Sequence, residues 1–229
     1  MASVNCSAGR WPRVTEKAAH AVGRARPAAA LRLLVLLFVA QTLPANVSAG
    51  VILVLGDSLS SAYGIDVQAG WVRLLQDRLD ARGSDYRVVN ASISGDTTNG
   101  GAARLPTALV QYTPDIVVVE LGGNDGLRGL PLNVTRSNLE RIIVESKKAG
   151  ARVLLLGMRL PPNYGPAYTK AFYAIYEELA ERYGVARVPF LLEGIGGVDG
   201  MMQDDGIHPV AEAQPVILDN VWPHLEPLL

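Results

Sequence analysis

The sequence predicts an α/β fold, a parallel sheet with helices packed on both of its faces. Two observations predict it. Short runs rich in β-branched and leucine side chains recur along the chain, each nearly continuous rather than alternating, as strands buried on both faces are. Segments with helical spacing separate them, and strand–helix alternation of this kind builds a parallel sheet. A third observation sets the scale. At 229 residues, with 49% hydrophobic and 19% charged side chains and no internal repeat, the chain is the size of one domain with a distinct leading segment.

That leading segment is residues 1–49. It holds six of the 21 basic residues (Arg10, Arg13, Lys17, Arg24, Arg26, Arg32) and one acid, Glu16. The apolar run "LLVLLFVAQTL" follows, then "PANVSAG" with small residues at Val47, Ser48 and Ala49. A basic head, a short apolar run and a V-S-A ending read as a secretory signal peptide cut after Ala49, which implies a periplasmic or secreted enzyme. The alternative is a retained anchor, but Leu33 to Leu43 is short of the roughly 20 apolar residues that span a bilayer. After cleavage no stable membrane span is expected. The basic region is long for a signal.

The domain is expected over residues 50–229. "VILVL" (51–55) is the first strand. "WVRLLQDRLDARG" (71–83) puts Val72, Leu75 and Leu79 on one helical face and closes on Gly83. "YRVVNA" (86–91) and "DIVVVEL" (115–121) are the second and third strands. "NVTRSNLERIIVESKKAG" (133–150) aligns Leu139, Ile142, Ile143 and Ser146. It ends on Lys147, Lys148 and Gly150, cations and a glycine that stop a helix. "RVLLLGM" (152–158) is the fourth strand, "AYTKAFYAIYEELAERYG" (167–184) another helix, and "VARVPF" (185–190) a weaker fifth strand. "VAEAQPVILDNVWPHLEPLL" closes the chain as a helix that Pro215 and Pro223 should kink or break.

Composition excludes several functions. Loss of the leader takes away the only cysteine, Cys6, so neither a thiol nucleophile nor a cysteine metal site is available. Two histidines, His208 and His224, then remain, too few for a histidine-rich metal site, and no metal or cofactor is expected. The remaining 15 basic and 21 acidic residues give a net charge of −6, which argues against nucleic acid as a partner.

In a parallel sheet, ligands bind beyond the carboxyl ends of the strands, so the segments that follow each strand carry the functional reading. "GDSLS" (56–60) places Ser58 where a turn leads into a helix. Its hydroxyl is exposed there and its N–H faces a bound oxyanion, or else the serine is a helix cap. "SISGDTTNGG" (92–101) contains Gly95, either a close backbone donor or an ordinary turn. "GGNDGLRG" (122–129) contains Asn124, either an amide donor or a loop residue. "DDGIHP" (204–209) places Asp205 three residues before His208 across a turn. Singly each is weak. Together they supply nucleophile, base, orienting acid and oxyanion donors for acyl transfer.

These four blocks, in this order, resemble the SGNH (GDSL) hydrolase family. The resemblance spans nearly the whole of residues 50–229. "VVNASISGDTT", "VELGGNDGLRG", "RLPPNYG" and "MQDDGIHP" are similar to its periplasmic thioesterase, lysophospholipase and arylesterase branch. It implies a flavodoxin-like three-layer sandwich with a five-stranded parallel sheet, and hydrolysis of carboxylic esters and acyl thioesters without a cofactor. It further implies Ser58 as nucleophile, His208 as base and Asp205 as its partner. The oxyanion hole is then made by the N–H groups of Ser58 and Gly95 and the Asn124 amide. Pro131, in "GLRGLP", departs from the usual pattern.

Leu127, Leu130, Leu160, Tyr164 and Tyr168 either border an acyl groove or simply pack the loops. Arg128 and Arg159 either meet an anionic head group or are plain surface charges. Asp57 and Asp125 are expected to bond loop N–H groups, and Asp204 and His224 to be solvated. A carbohydrate O-deacetylase of the same fold and a non-catalytic exported lipid-binding module are the rival functions. The partner is a small acyl ester or thioester, and a monomer is expected.

Overall fold

The computed structural model describes residues 49–229, so the expected leader over 1–49 falls almost wholly outside the described residues. The sheet is built around β1 (Val51–Gly56), every residue of which is buried. It is flanked by β2 (Arg87–Asn90) and β3 (Ile116–Glu120), and β4 (Arg152–Leu156) and β5 (Ala186–Val188) extend it, all parallel, in the order β2-β1-β3-β4-β5. This is the doubly wound flavodoxin-like order, whose direction reverses between β1 and β3.

The described helices are α1 (Trp71–Ala81), α2 (Thr98–Tyr112), the short α3 (Gly123–Leu127), α4 (Leu132–Lys148), α5 (Pro166–Tyr183) and α6 (Gln214–Leu225). Helix α1 packs with α6, and α4 packs with both α2 and α5, so two helical layers enclose the sheet. No described helix is long and apolar enough to cross a membrane.

Two expectations need correction, and one helix was not foreseen. Strand β2 is not buried on both faces: it is an edge strand of four residues, with Arg87 and Asn90 exposed. Helix α2 has no clear signature in the sequence, because Gly100, Gly101 and Pro106 lower helix propensity. Tertiary packing overrides that: Ala102, Leu105 and Ala108 are buried, Pro106 faces solvent, and the Thr97 side chain caps the start by accepting from Gly100 N–H. Pro215 does not kink the last helix. It lies in the first turn of α6, where its missing N–H has no partner to lose.

One backbone contact joins the core to the site. Gly157, just after β4, donates to Val188 O (2.9 Å) and accepts from Leu191 N–H (2.9 Å). A Cβ there would stand 2.2 Å from Pro189 O and 2.8 Å from Val188 O, both of them backbone atoms that cannot rotate away. Gly157→Ala is therefore expected to destabilise the fold by about 1–3 kcal/mol in urea unfolding. Parental stability in the variant would show that the β4–β5 ends are not packed this tightly.

Candidate active site

Strand β1 delivers Gly56 to the switch point, and the chain turns sharply through Asp57 and Ser58. No helix starts at Ser58, so the cap reading fails. Successive turns follow instead, tied by Ser61 N–H to Asp57 O (3.0 Å) and Tyr63 N–H to Ser58 O (3.3 Å).

Ser58 Oγ lies 2.9 Å from His208 Nε2, and His208 Nδ1 lies 2.6 Å from Asp205 Oδ2. Ser58 and His208 are 150 positions apart in sequence, and the fold brings them into one line with Asp205. Asp205 Oδ1 also accepts from the N–H groups of Ile207 (2.9 Å) and His208 (3.0 Å), which closes the turn that carries the histidine. Asp205, and not Asp204, is thus the acid that meets His208.

Two residues to which the sequence assigned no role also contact the His208 loop. Gln203 donates its N–H to His208 O (2.7 Å) and its amide to Tyr63 O (2.9 Å) and Pro209 O (3.1 Å), bridging the serine turn to the histidine loop. The Tyr63 ring lies over the imidazole with centroids 4.5 Å apart. Gln203 lies within the "MQDDGIHP" block without having been assigned a role there, Tyr63 lies outside every block, and only their spatial neighbours reveal what they do.

Asn124 sits in α3, directly after β3. Its Nδ2 donates to Asp57 Oδ2 (3.0 Å), and its Oδ1 accepts from Arg128 Nη2 (3.4 Å). An acceptor on one side and a donor on the other settle which end of the amide is nitrogen. Arg128 Nη2 also donates to Gly95 O (2.9 Å), so it ties the second strand-end loop to the third and is no plain surface charge. Gly95 has φ +79°, and among the described residues neither its N–H nor that of Ser58 is used in a hydrogen bond. Asp125 is buried and accepts from Thr98 N–H (2.9 Å), the Thr98 hydroxyl and the Thr135 hydroxyl (3.4 Å), a structural role that joins α3 to α2 and α4.

Ser58, Asn124 and His208 line a cavity of about 500 Å³, and its other walls are largely apolar: Leu127, Met158, Leu160, Phe190, Leu192, Met202 and Ile207. Of the expected acyl-site residues, Leu127 and Leu160 line it. Leu130 and Tyr164 do not. Tyr164 OH donates to Leu127 O (2.9 Å) and Tyr168 OH to Leu130 O (3.1 Å), so both tyrosines brace the 127–130 loop from behind. Met158 and Phe190 carry no signal in the sequence, because they follow β4 and β5 as ordinary apolar residues. Arg159 lines the cavity too, with its guanidinium over the rings of Tyr173 (4.7 Å) and Phe190 (4.9 Å). His224 lies in the last turn of α6 and takes no part in the site.

Residues 54–214 match the model of the GDSL-like Lipase/Acylhydrolase family. The chain belongs to this family. It is 57% identical over 182 residues to the esterase TesA of Pseudomonas aeruginosa, an alignment covering 80% of this chain and 90% of that one. It is 48% identical over 182 residues to thioesterase 1/protease 1/lysophospholipase L1 of Escherichia coli, covering 80% and 86%. A crystal structure of TesA superposes with a TM-score of 0.77 at 57% identity, covering 78% of this chain and 99% of that one.

The electrostatics of this GDSL acyl-hydrolase set Asp205 and Asp57 apart. Burial is the largest single influence on the Asp205 carboxyl and raises it. The His208 ring and the N–H groups of His208 and Ile207 together outweigh burial and hold it at about 2. Asp205 is therefore an anion at neutral pH. An acceptor-only carboxylate puts the proton on Nδ1 and leaves the Nε2 lone pair for the Ser58 hydroxyl. Asp57 is different: burial pushes it up to about 6, against the pull of Leu59 N–H and the Asn124 amide.

Proposed function

We propose that the chain hydrolyses carboxylic esters and acyl thioesters of fatty acids, lysophospholipids included, through an acyl-enzyme on Ser58. The observation that carries this is the Ser58–His208–Asp205 line, with spacings of 2.9 and 2.6 Å, at the wall of a 500 Å³ apolar cavity. A cavity of that size lies within the range of small-molecule sites, and its lining suits an alkyl chain.

His208 Nε2 takes the Ser58 proton as Oγ attacks the acyl carbonyl. The negative charge that develops on the carbonyl oxygen is met by the N–H groups of Ser58 and Gly95 and the Asn124 amide. The imidazolium, held by Asp205, returns its proton to the departing alcohol or thiol. Water, deprotonated by the same Nε2, then releases the acid and restores the serine. None of these steps calls for a group beyond the chain's own side chains.

The leader reading of residues 1–49, with the enzyme over 50–229 working in the periplasm or outside the cell, belongs to the same proposal. It is supported by the basic head, the short apolar run and the V-S-A ending.

Hydrolysis of p-nitrophenyl esters from acetate to palmitate by the full chain tests the substrate class. The expected result is a kcat/KM that rises from acetate to medium chains by about 10-fold or more, since each buried methylene adds roughly 0.8 kcal/mol. Turnover confined to acetate would overturn the acyl-chain reading in favour of a deacetylase.

A further inference from the structure

Beneath the acyl site lies a carboxyl group that the reaction above does not use. Glu120, the last residue of β3, has no solvent exposure. Its Oε2 accepts from Asp57 N–H (3.0 Å) and from the Ser60 hydroxyl (2.8 Å), so residues on both sides of Ser58 hang from a single oxygen. Its Oε1 is buried and meets no partner among the described residues. One layer nearer the cavity, Asp57 accepts from Leu59 N–H at Oδ1 (3.2 Å) and from the Asn124 amide at Oδ2 (3.0 Å). Gly56 makes room for this stack: a Cβ there would stand 2.8 Å from Glu120 Oε2.

We propose that Glu120 is a positioning residue for the acyl site: it suspends the Ser58 turn from the end of β3 and, through Asp57, aims the Asn124 amide at the acyl carbonyl. The proposal rests on the roles given above to Ser58 and Asn124.

Glu120 does this as a neutral acid. An ionised carboxyl with one oxygen orphaned in the core is strongly penalised. Burial first, and then the neighbouring Asp57 charge, push Glu120 well above the usual carboxylate range. Asp57, with a donor on each oxygen, is the better home for a charge. Two adjacent buried carboxyls share one proton, and these contacts place it on Glu120.

The remaining ionisable groups around the pair leave that assignment in place. Arg104 of α2 donates to Gly56 O (3.0 Å) and is bonded to Asp96 (2.8 Å). Tyr176 of α5 donates to Leu121 O (2.9 Å), Asp125 of α3 is taken up by Thr98, and His208 faces Asp57 from the far side of the site. One negative charge beneath the site orders the Asn124 amide and favours the imidazolium. A second would repel the developing oxyanion.

The test compares Glu120→Gln and Glu120→Ala in the full chain. It reads kcat and KM on a medium-chain p-nitrophenyl ester, thermal unfolding, and the infrared carbonyl stretch of a protonated carboxylic acid at neutral pH. Glutamine is neutral and keeps an acceptor for Asp57 N–H and the Ser60 hydroxyl, so kcat should stay within about threefold of the parent. Alanine releases the turn and should lower kcat by about 10²-fold with KM within about twofold, the pattern of lost transition-state contacts. The acid band should be present in the parent and lost in Glu120→Gln.

A parent without the band, a glutamine variant as slow as the alanine variant, or an alanine variant with parental kcat each overturns the proposal. If Glu120→Ala does not fold, the glutamine variant and the band decide. Failure of the underlying reading looks different: Ser58→Ala would keep its turnover while the band stayed in place.

Discussion

Ser58→Ala lowers kcat for ester hydrolysis by about 10⁶-fold and leaves the unfolding temperature unchanged; this is the largest effect expected of any single substitution. The size follows from what is lost. In the proposed mechanism no acyl-enzyme forms without Oγ, and His208 would act only on water, with the three proposed donors to the acyl carbonyl still in place. The fold should not notice. Ser58 is only half-buried, and among the described residues its side chain makes one hydrogen bond, to His208. The measurement is steady-state hydrolysis of a p-nitrophenyl ester, with circular dichroism as the control on folding. A folded variant that retains more than about a hundredth of parental turnover would remove Ser58 from the mechanism.

Asp205→Asn is the second large effect, and it separates orientation from charge. Asparagine keeps an oxygen to accept from Ile207 and His208 N–H, so the turn that now rests on Asp205 Oδ1 survives. Its amide N–H, however, would face Nδ1 as a donor. The ring must then accept there and carry its proton on Nε2, where it can no longer deprotonate Ser58.

Solvent weakens the charge part of this loss, because the Asp205 side chain is 41% exposed. The tautomer part is a matter of hydrogen-bond direction and is not screened. We therefore expect kcat at neutral pH to fall by about 10³–10⁴-fold, with the loss shrinking at alkaline pH as hydroxide replaces the base.

The sign of the linkage is also fixed. Asp205 is held at about 2, below its unfolded value, so its contribution to stability is complete above about pH 4 and is lost as the pH falls from there to about 2. Asp205 should accordingly leave no inflection in the rate profile above about pH 4. A fall of less than about tenfold on Asp205→Asn would mean that the Tyr63 ring and the Gln203 bridge orient His208 without the acid.

Much of the fold is legible in the amino-acid sequence. Strands with a strong apolar bias, β1, β3 and β4, stand within a residue or two of the runs that predict them, because central strands must be apolar on both faces. Strand β2 misleads for the opposite reason: an edge strand has a half-exposed face, and its apolar count does not reveal that. Helix α2 is invisible in the sequence because its glycines and Pro106 speak locally for a loop. Only the packing of Ala102, Leu105 and Ala108 onto the sheet speaks for a helix.

The site divides along the same line. Ser58, Gly95, Asn124, Asp205 and His208 stand out in short blocks, each fixed by what the backbone does immediately after a strand. Leu130 and Tyr164 look like cavity residues because they are apolar or aromatic and belong to loops at the same rim. Position along the chain does not say which way a side chain faces, and neither of the two lines the cavity. Met158 and Phe190 reach it from the ends of β4 and β5, outside all four blocks.

By itself the sequence determined the sheet-forming strands, the order of the four blocks and the chemical types that make acyl transfer possible, because local pattern and turn chemistry are written in neighbouring residues. The tertiary structure alone decided three things: the 2.9 Å meeting of Ser58 with His208, the apolar wall drawn from distant strands, and the place of Glu120 beneath the serine turn. Each is a contact between residues far apart in the chain. It exists only when the sheet has closed and water has been excluded from between them.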